Sequence, residues 1–440
     1  MSRHSLLAAM LAAMQPLPAR VDLAIVGAGT AGAAAATFAA RRGLRVLCLD
    51  RRPLEQAGAR WINGVPAWVF AALDLEAPSP PERVGAGQPF HLVAGYEGPR
   101  VVIRDHQVLA LDMRALVARL QAEAFAAGAT LVGELAVEAI EGRRLETKRG
   151  AVECTWIVDA SGLAGLDLLD SPTLDRRDLC AAAQEVRRCD PEGARAYLAR
   201  HRVAEGDTLC FSGIAGGYSI LNLDAHDDRV SLLTGTIPAD SGISGRQLLD
   251  EFVAAQTWIG ALEFGGARAI PVRRSHDILA RGAFAAIGDA GCQVFPAHGS
   301  GIAPQLWAAK ILADNLAAGA GVQGYAVEFQ RRVGGLLASY DLFRRFSRDL
   351  STRELADLIE AGLMSEAASR AGIEQRMPSL PTPTELLALV RGLRRVPNLA
   401  RRLLAVAAKM VAVEGLYARY PRSPARLDRW QRAVARVFGD

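Results

Sequence analysis

The first apolar stretch with a clear pattern is VDLAIV from Val21. It ends in three spaced glycines, passes into the small-residue run AGAAAATFAA, and is followed by a second apolar run, VLCL, closed by Asp50. This order predicts a strand, a tight turn, a helix and a second strand, which together make a dinucleotide-binding βαβ unit. Gly27 lets the chain leave the strand, Gly29 leaves room for a pyrophosphate against the backbone, and Gly32 lets helix and strand approach closely. Free N–H groups at the helix start, around Thr30 and Ala31, and the positive end of the helix dipole then face the phosphates. Asp50, about 20 residues past the glycines and followed by Arg51, is placed to accept both ribose hydroxyls of an adenosine. A carboxylate there disfavours a 2′-phosphate, so FAD or NAD fits better than NADP.

The same patterning continues along the chain. Residues 111–132 carry apolar positions at helical spacing and stop at Gly128 before another strand. A hairpin is expected around Gly142, and a strand through Trp156, Ile157 and Val158 delivers Asp159 to a turn at Ala160, Ser161 and Gly162. GGYSILNL from Gly216 and DRVSLLTGTI from Asp228 read as antiparallel strands with a turn at His226, Asp227 and Asp228. A helix over 248–262 with Trp258 in the core should follow. A further strand ends at Ile287, Gly288 and Asp289, then a loop with Pro296, His298, Gly299 and Gly301 leads into an alanine-rich helix from Ile302. Here again backbone donors and a helix N-terminus face one spot, and Asp289 can accept from a sugar-alcohol hydroxyl. After about residue 324 the pattern is helical, with capping boxes at Ser351–Glu354 and Thr382–Glu385. Residues 51–107, rich in Gly and Pro, read as irregular structure with short strands, and 6–14 as a short helix laid on the domain.

Composition narrows the function. The chain has 440 residues, 50% of them hydrophobic and 22% charged, enough to bury a large core of two or three units. Its net charge of +4 comes without an arginine patch interleaved with aromatics, so nucleic acid is not an expected partner. The six cysteines form no CxxC pair and the seven histidines no HxxxH, so no metal site is expected and the cytoplasm is the natural compartment. Arg391, Arg394, Arg395, Arg401, Arg402 and Lys409 lie among Leu and Val in the tail. Such helices contact anionic membranes or, more commonly, pack on their own protein with the charges in water.

Three motifs in order, GAGTAG with Asp50, DASG from Asp159, and GDAG followed by PAHGSGI, resemble the FAD superfamily that includes group A aromatic hydroxylases, flavin-dependent halogenases and geranylgeranyl reductases. The resemblance implies an α/β fold. A Rossmann-like FAD-binding domain of glutathione-reductase type (1–60, 105–170 and 270–322) would carry an inserted antiparallel-sheet substrate domain (61–104 and 171–269), followed by a helical C-terminal region (323–440). It further implies that Gly27, Gly29, Gly32 and Asp50 hold the ADP half of FAD, that Ala160 to Gly162 run beside the cofactor, and that Arg114 supplies a basic contact. Asp289 would meet the ribityl chain. The loop of Pro296, Gly299, Ser300, Gly301 and Ile302 would pass the isoalloxazine ring, its N–H groups stabilising the anionic N1–C2=O locus of reduced flavin.

Among the branches, the tail stretch DLSTRELADLIEAGLM resembles that of archaeal-type geranylgeranyl reductases. Their aromatic-rich YxWxFP strand is replaced here by Tyr218-Ser219-Ile220-Leu221-Asn222-Leu223, and their CGG-like turn by Trp61-Ile62-Asn63-Gly64. The WxWxIP of halogenases is missing, and the hydroxylase loop is approximated without its histidine after GDA. The leading expectation is therefore a monooxygenase that hydroxylates an aromatic or extended apolar substrate, free or presented by a peptide or carrier. NAD(P)H would serve as transient co-substrate and O2 would react through a flavin C4a-hydroperoxide. A reductase of isolated C=C bonds in a polyprenyl lipid is second, and a halogenase or a non-catalytic flavin binder third. Trp61 and Tyr218 are expected to line the substrate pocket. His298, with a pKa near neutrality, would relay a proton there or else merely pack in its loop. Cys292 reads as a small buried hydrophobe.

Overall fold

The computed structural model describes residues 16–440; the helix expected over 6–14 lies outside the described residues. The strand Arg20–Val26 sits in an eight-stranded sheet, parallel on one side to Val46–Leu49 and on the other to Gly150–Asp159. Thr130–Val132 extends the first side and Phe284–Ala286 the second. The carboxyl ends of three of these parallel strands thus deliver the glycine turn, Asp50 and the Ala160 turn to one edge, where open α/β sheets bind ligands.

The helix Thr30–Arg41 is almost entirely buried because it lies between the sheet and the helices Met113–Ala126 and Ile302–Ala317. Its alanines permit that close packing, and the Thr37 hydroxyl donates to the Leu120 carbonyl at 2.8 Å. Met113–Ala126 ends before Gly128, which takes a φ of +95°. The hairpin about Gly142 forms between Val137–Glu141 and Arg144–Thr147.

A second, seven-stranded sheet runs in the order Ile259–Pro271, Leu179–Cys189, Arg229–Thr236, Ser219–His226, Thr208–Ser212, Phe90–Ala94, Arg100–Ile103. The helix expected over 248–262 is shorter than that: it spans Gly245–Ala254, and from Ile259 the chain is a strand. Pairing with Leu179–Cys189 along nearly its whole length outweighs any local helical tendency there. Trp258, between the two, packs on Tyr197 with ring centroids 5.4 Å apart. A small third sheet, Ile62–Pro66, Val108–Asp112 and Arg83–Ala86, joins chain from both sides of residue 105.

From Gly321 the chain is helical to the end apart from short connections, and both expected capping boxes form. Its helices are clamped to the short turn Arg176–Asp178, which leads into the seven-stranded sheet, by a buried ionic group. Arg344, fully buried, donates to Asp341 at 2.7 Å and to Asp178 at 2.8 Å, while Asp341 accepts from the Arg274 backbone N–H.

Candidate active site

One cavity of about 1080 Å³ opens at the carboxyl edge of the parallel sheet and runs on beneath the antiparallel one. At its first end it is lined by Gly27, Gly29, Thr30, Ala31, Asp50 and Arg51, then by Ala160 and Gly162, then by Gly288, Asp289 and residues Gly299 to Ile302. The structure therefore brings the three motifs to one place although more than 200 residues separate the first from the last.

Gly27 has a φ of +109°, and a Cβ there would lie 2.3 Å from the Ala160 carbonyl oxygen. Gly32 lies outside the cavity wall; a Cβ on it would meet the Gly27 carbonyl at 1.8 Å, so it serves the close packing of helix on turn. The bare backbone at Gly29 and the uncapped N-terminus of Thr30–Arg41 leave amide donors facing the cavity. Asp50 is buried and braces the turn, accepting from Ala28 N–H at 3.0 Å and Arg52 N–H at 2.9 Å. A bed with unspent amide donors, a carboxylate at one side and no side chain over the glycines fits the pyrophosphate and adenosine ribose of FAD.

At the other end Asp289 accepts from the Gln305 side chain at 2.8 Å, and burial raises its pKa while Arg268 opposes that rise. Ser300, Gly301 and Ile302 open the helix Ile302–Ala317, whose N-cap is a glycine with no side-chain cap. Backbone donors and the helix dipole there suit an anionic ring edge. Pro296 is buried behind this loop and does not line the cavity. Arg114 does not line it either. Asp112 holds its guanidinium at 2.6 Å and it lies over the Phe264 ring at 4.0 Å. The basic groups that do face the cofactor end are Arg51, Arg52 and Arg268. Arg268 was missed because the alternation of Ile259–Pro271 is hidden behind an apparently helical start.

Trp61 and Tyr218 both line the cavity. Trp61 is 6% exposed and its indole N–H has no partner. The Tyr218 hydroxyl lies 3.8 Å from the position a Cβ on Gly299 would take, and burial holds its pKa well above the usual value. His298 is also in the wall, stacked on Phe295 at 4.7 Å, but it is not a group poised near neutrality. Burial pushes its imidazole down to about 4. Nδ1 accepts from the Ser300 N–H at 3.3 Å, which leaves the proton of the neutral ring on Nε2, a buried atom with no well-formed hydrogen bond, although the Gly372 backbone is close enough to favour the protonated ring. Cys292 is fully buried beside His276 at 3.3 Å, and its thiol is pushed up to about 12.

Beyond the loop the wall becomes apolar. Leu92, Ile103, Cys210, Ile220 and Leu233 come from the antiparallel sheet, and Phe343, Phe346, Leu355, Leu358 and Ile373 from the C-terminal helices. That the tail walls the cavity could not be read from its pattern, since helical periodicity identifies an apolar face and not what it meets. Among the described residues no helix is long and apolar enough to cross a membrane.

Residues 25–64 match the family described as NAD(P)-binding Rossmann-like domain. Across 95% of its length the chain is 25% identical to the digeranylgeranylglycerophospholipid reductase of Sulfolobus acidocaldarius, of which it covers 97%. Among solved structures, a geranylgeranyl bacteriochlorophyll reductase-like protein from Thermoplasma acidophilum superposes with a TM-score of 0.68 at 16% identity, over 88% of this chain and 99% of that one. A probable FAD-dependent monooxygenase from Pseudomonas aeruginosa superposes with a TM-score of 0.56 at 16% identity, over 80% and 99%. The Rossmann-like segment, the similarity to a reductase along nearly the whole length and the shared fold agree with what the three motifs predict, an FAD-binding oxidoreductase.

Proposed function

We propose that this oxidoreductase reduces isolated C=C bonds in an extended polyprenyl-type substrate. The observation that carries the reading is the apolar extension of the cavity beyond the Gly299–Ile302 loop, walled on one side by sheet and on the other by the tail helices. It suits a long hydrocarbon better than a single small ring. The similarity to the Sulfolobus reductase, which takes in the tail as well as the motifs, supports the same reading.

Saturating such a bond requires a hydride at one carbon, which reduced FAD supplies when bound, and a proton at the other. The chain's own part is to bind, orient and exclude water. Its apolar walls desolvate the alkene, and the amide donors at Ser300 to Ile302 hold negative charge on the ring edge. His298, kept neutral by its surroundings, offers a fixed N–H at Nε2 rather than a readily exchanged proton, and the Tyr218 hydroxyl is a second polar hydrogen in the same wall. NAD(P)H is the proposed transient reductant.

Hydroxylation of the same class of substrate, free or carrier-bound, is the second reading. It is favoured by Tyr218-Ser219-Ile220-Leu221-Asn222-Leu223 standing in place of the aromatic-rich strand of the reductases. Mass spectrometry of product formed from a prenyl substrate under anaerobic reduction tests the two. A gain of two hydrogens without O2 is expected, whereas turnover only with O2 and a gain of oxygen would replace the reductase by the hydroxylase.

A peripheral membrane contact belongs to the same proposal. Leu380, Leu386, Leu387, Leu404 and Val411 are exposed on or beside the helices Pro383–Arg395 and Pro397–Tyr417, which also carry Arg391, Arg394, Arg395, Arg401, Arg402 and Lys409. Arg402 is paired with Glu354 at 2.6 Å, but exposed apolar residues among the remaining cations suit an anionic lipid surface. Co-sedimentation with anionic vesicles but not with neutral ones is the expected result.

A further inference from the structure

The cavity wall changes character along the strand Ser219–His226. Leu221, Leu223 and Ala225 are buried in the core behind the sheet, so Ile220, Asn222 and Asp224 face the cavity. Counting from Tyr218, at the Gly299 loop, Asp224 lies six residues on, roughly 20 Å along an extended strand. Ser231 pairs directly opposite it, and Thr208, on the next strand, supplies a second hydroxyl. The Oδ1 of Asn222 is buried and accepts from nothing. Among the described residues the Asp224 carboxylate has no hydrogen-bond donor, and burial pushes its pKa up to about 6.

Two acceptors without donors, flanked by the Ser231 and Thr208 hydroxyls but bonded to neither, are costly unless something fills them. No guanidinium or ammonium is there to do so: the arginines in the wall, Arg51, Arg52 and Arg268, all stand at the cofactor end. His106, in the loop before Val108–Asp112, lines the cavity but is already occupied, bonded through Nε2 to the Gln88 carbonyl and through Nδ1 to the Val108 N–H. His226, at the rim, is exposed and paired with Asp227.

We propose that this end of the cavity is a head-group subsite for a non-anionic, hydrogen-bond-donating group, an alcohol or an amine, carried on an apolar chain that reaches back to the flavin loop. A phosphate would bring a second anion against Asp224 and leave Asn222 unsatisfied. The subsite rests on the polyprenyl reading for the nature of the chain but not for the choice of head group. It also sets this chain apart from what the name of its Sulfolobus relative says of that protein's substrate, a glycerophospholipid.

The test is equilibrium binding to the flavin-loaded protein, read by flavin absorbance and by tryptophan fluorescence from the Trp61 wall. The probes are a C20 prenyl alcohol, amine and phosphate, and the three corresponding saturated dodecyl compounds below micelle formation. The alcohol or the amine is expected to bind about tenfold or more tightly than the phosphate, the factor that one charge-assisted hydrogen bond confers. Asp224→Asn should bring amine and phosphate within about twofold of each other by that same argument, and Ser231→Ala should weaken the alcohol while retaining flavin. Phosphate binding as tightly as the others, or an order unchanged by both variants, overturns the subsite. If the dodecyl series keeps the order and no prenyl compound binds, the subsite stands and the polyprenyl reading falls.

Discussion

His298 ties the local environment of the site to the pH dependence of folding. In the unfolded chain its imidazole protonates near 6.5, but in the folded protein burial holds it down to about 4. Between those values the unfolded chain binds more protons than the native one. The stability present above pH 6.5 is therefore lost progressively as pH falls toward 4. A difference of about 2.5 units corresponds to roughly 3 kcal/mol, and because part of the ring faces the cavity we expect about 2 kcal/mol. His276, also pushed down to about 4, adds a parallel loss that must be separated from it. Urea unfolding of the wild type and of His298→Leu at pH 7.0 and 4.5 isolates the share of His298. The variant should lose about 2 kcal/mol less than the wild type over that interval. An equal loss in both proteins, or an NMR titration of His298 centred near 6.5, would refute the reasoning. So would an activity profile with an inflection near neutrality that vanishes in the variant, since a ring already neutral at pH 6 has no proton to release there.

Arg344→Met should cost about 3–5 kcal/mol in unfolding free energy, because it leaves Asp341 and Asp178 facing each other without their shared cation in a buried site; chemical denaturation measures it. Gly27→Ala, with its Cβ driven to 2.3 Å from the Ala160 carbonyl at a φ of +109°, should yield protein that purifies without bound flavin, seen directly in the visible spectrum. Leu358→Trp, filling the helical wall of the cavity, should retain flavin and weaken binding of long-chain probes, while short-chain analogues bind as before; equal losses for both would show that this lobe does not hold the chain.

What could be read from the sequence was what local chemistry dictates. The glycine turn, Asp50, the Ala160 turn and the Gly299–Ile302 loop each announce themselves because a backbone conformation or a close approach forbids most other residues. Arg114 went astray for the opposite reason. A helix start predicts that a side chain is available, but the pairing with Asp112 and stacking on Phe264 that occupy it depend on residues brought from elsewhere. The expected helix runs on over residues 259–262 because a short apolar run does not reveal its period until its pairing partner, Leu179–Cys189, is known. The neutrality of His298 was equally hidden: solvent exclusion is made by Phe295 and by chain more than 40 residues away, and no spacing encodes it. Asp224 carries no signal of its own in the sequence, since alternation tells which residues share a face and not whether that face meets water.

The division of labour around the Asp178–Arg344–Asp341 clamp has an evolutionary consequence. The cofactor bed is built from motifs between Gly27 and Ile302, whereas much of the cavity's apolar wall is contributed by the last quarter of the chain. If the substrate is the proposed polyprenyl chain, drift in Phe343, Phe346, Leu355 or Leu358 would remodel chain length and branching tolerance while leaving the residues that line the cofactor end in place, so long as the clamp survives. Homologues that have diverged in what they accept should accordingly differ most in these helices and keep a paired ion at the joint.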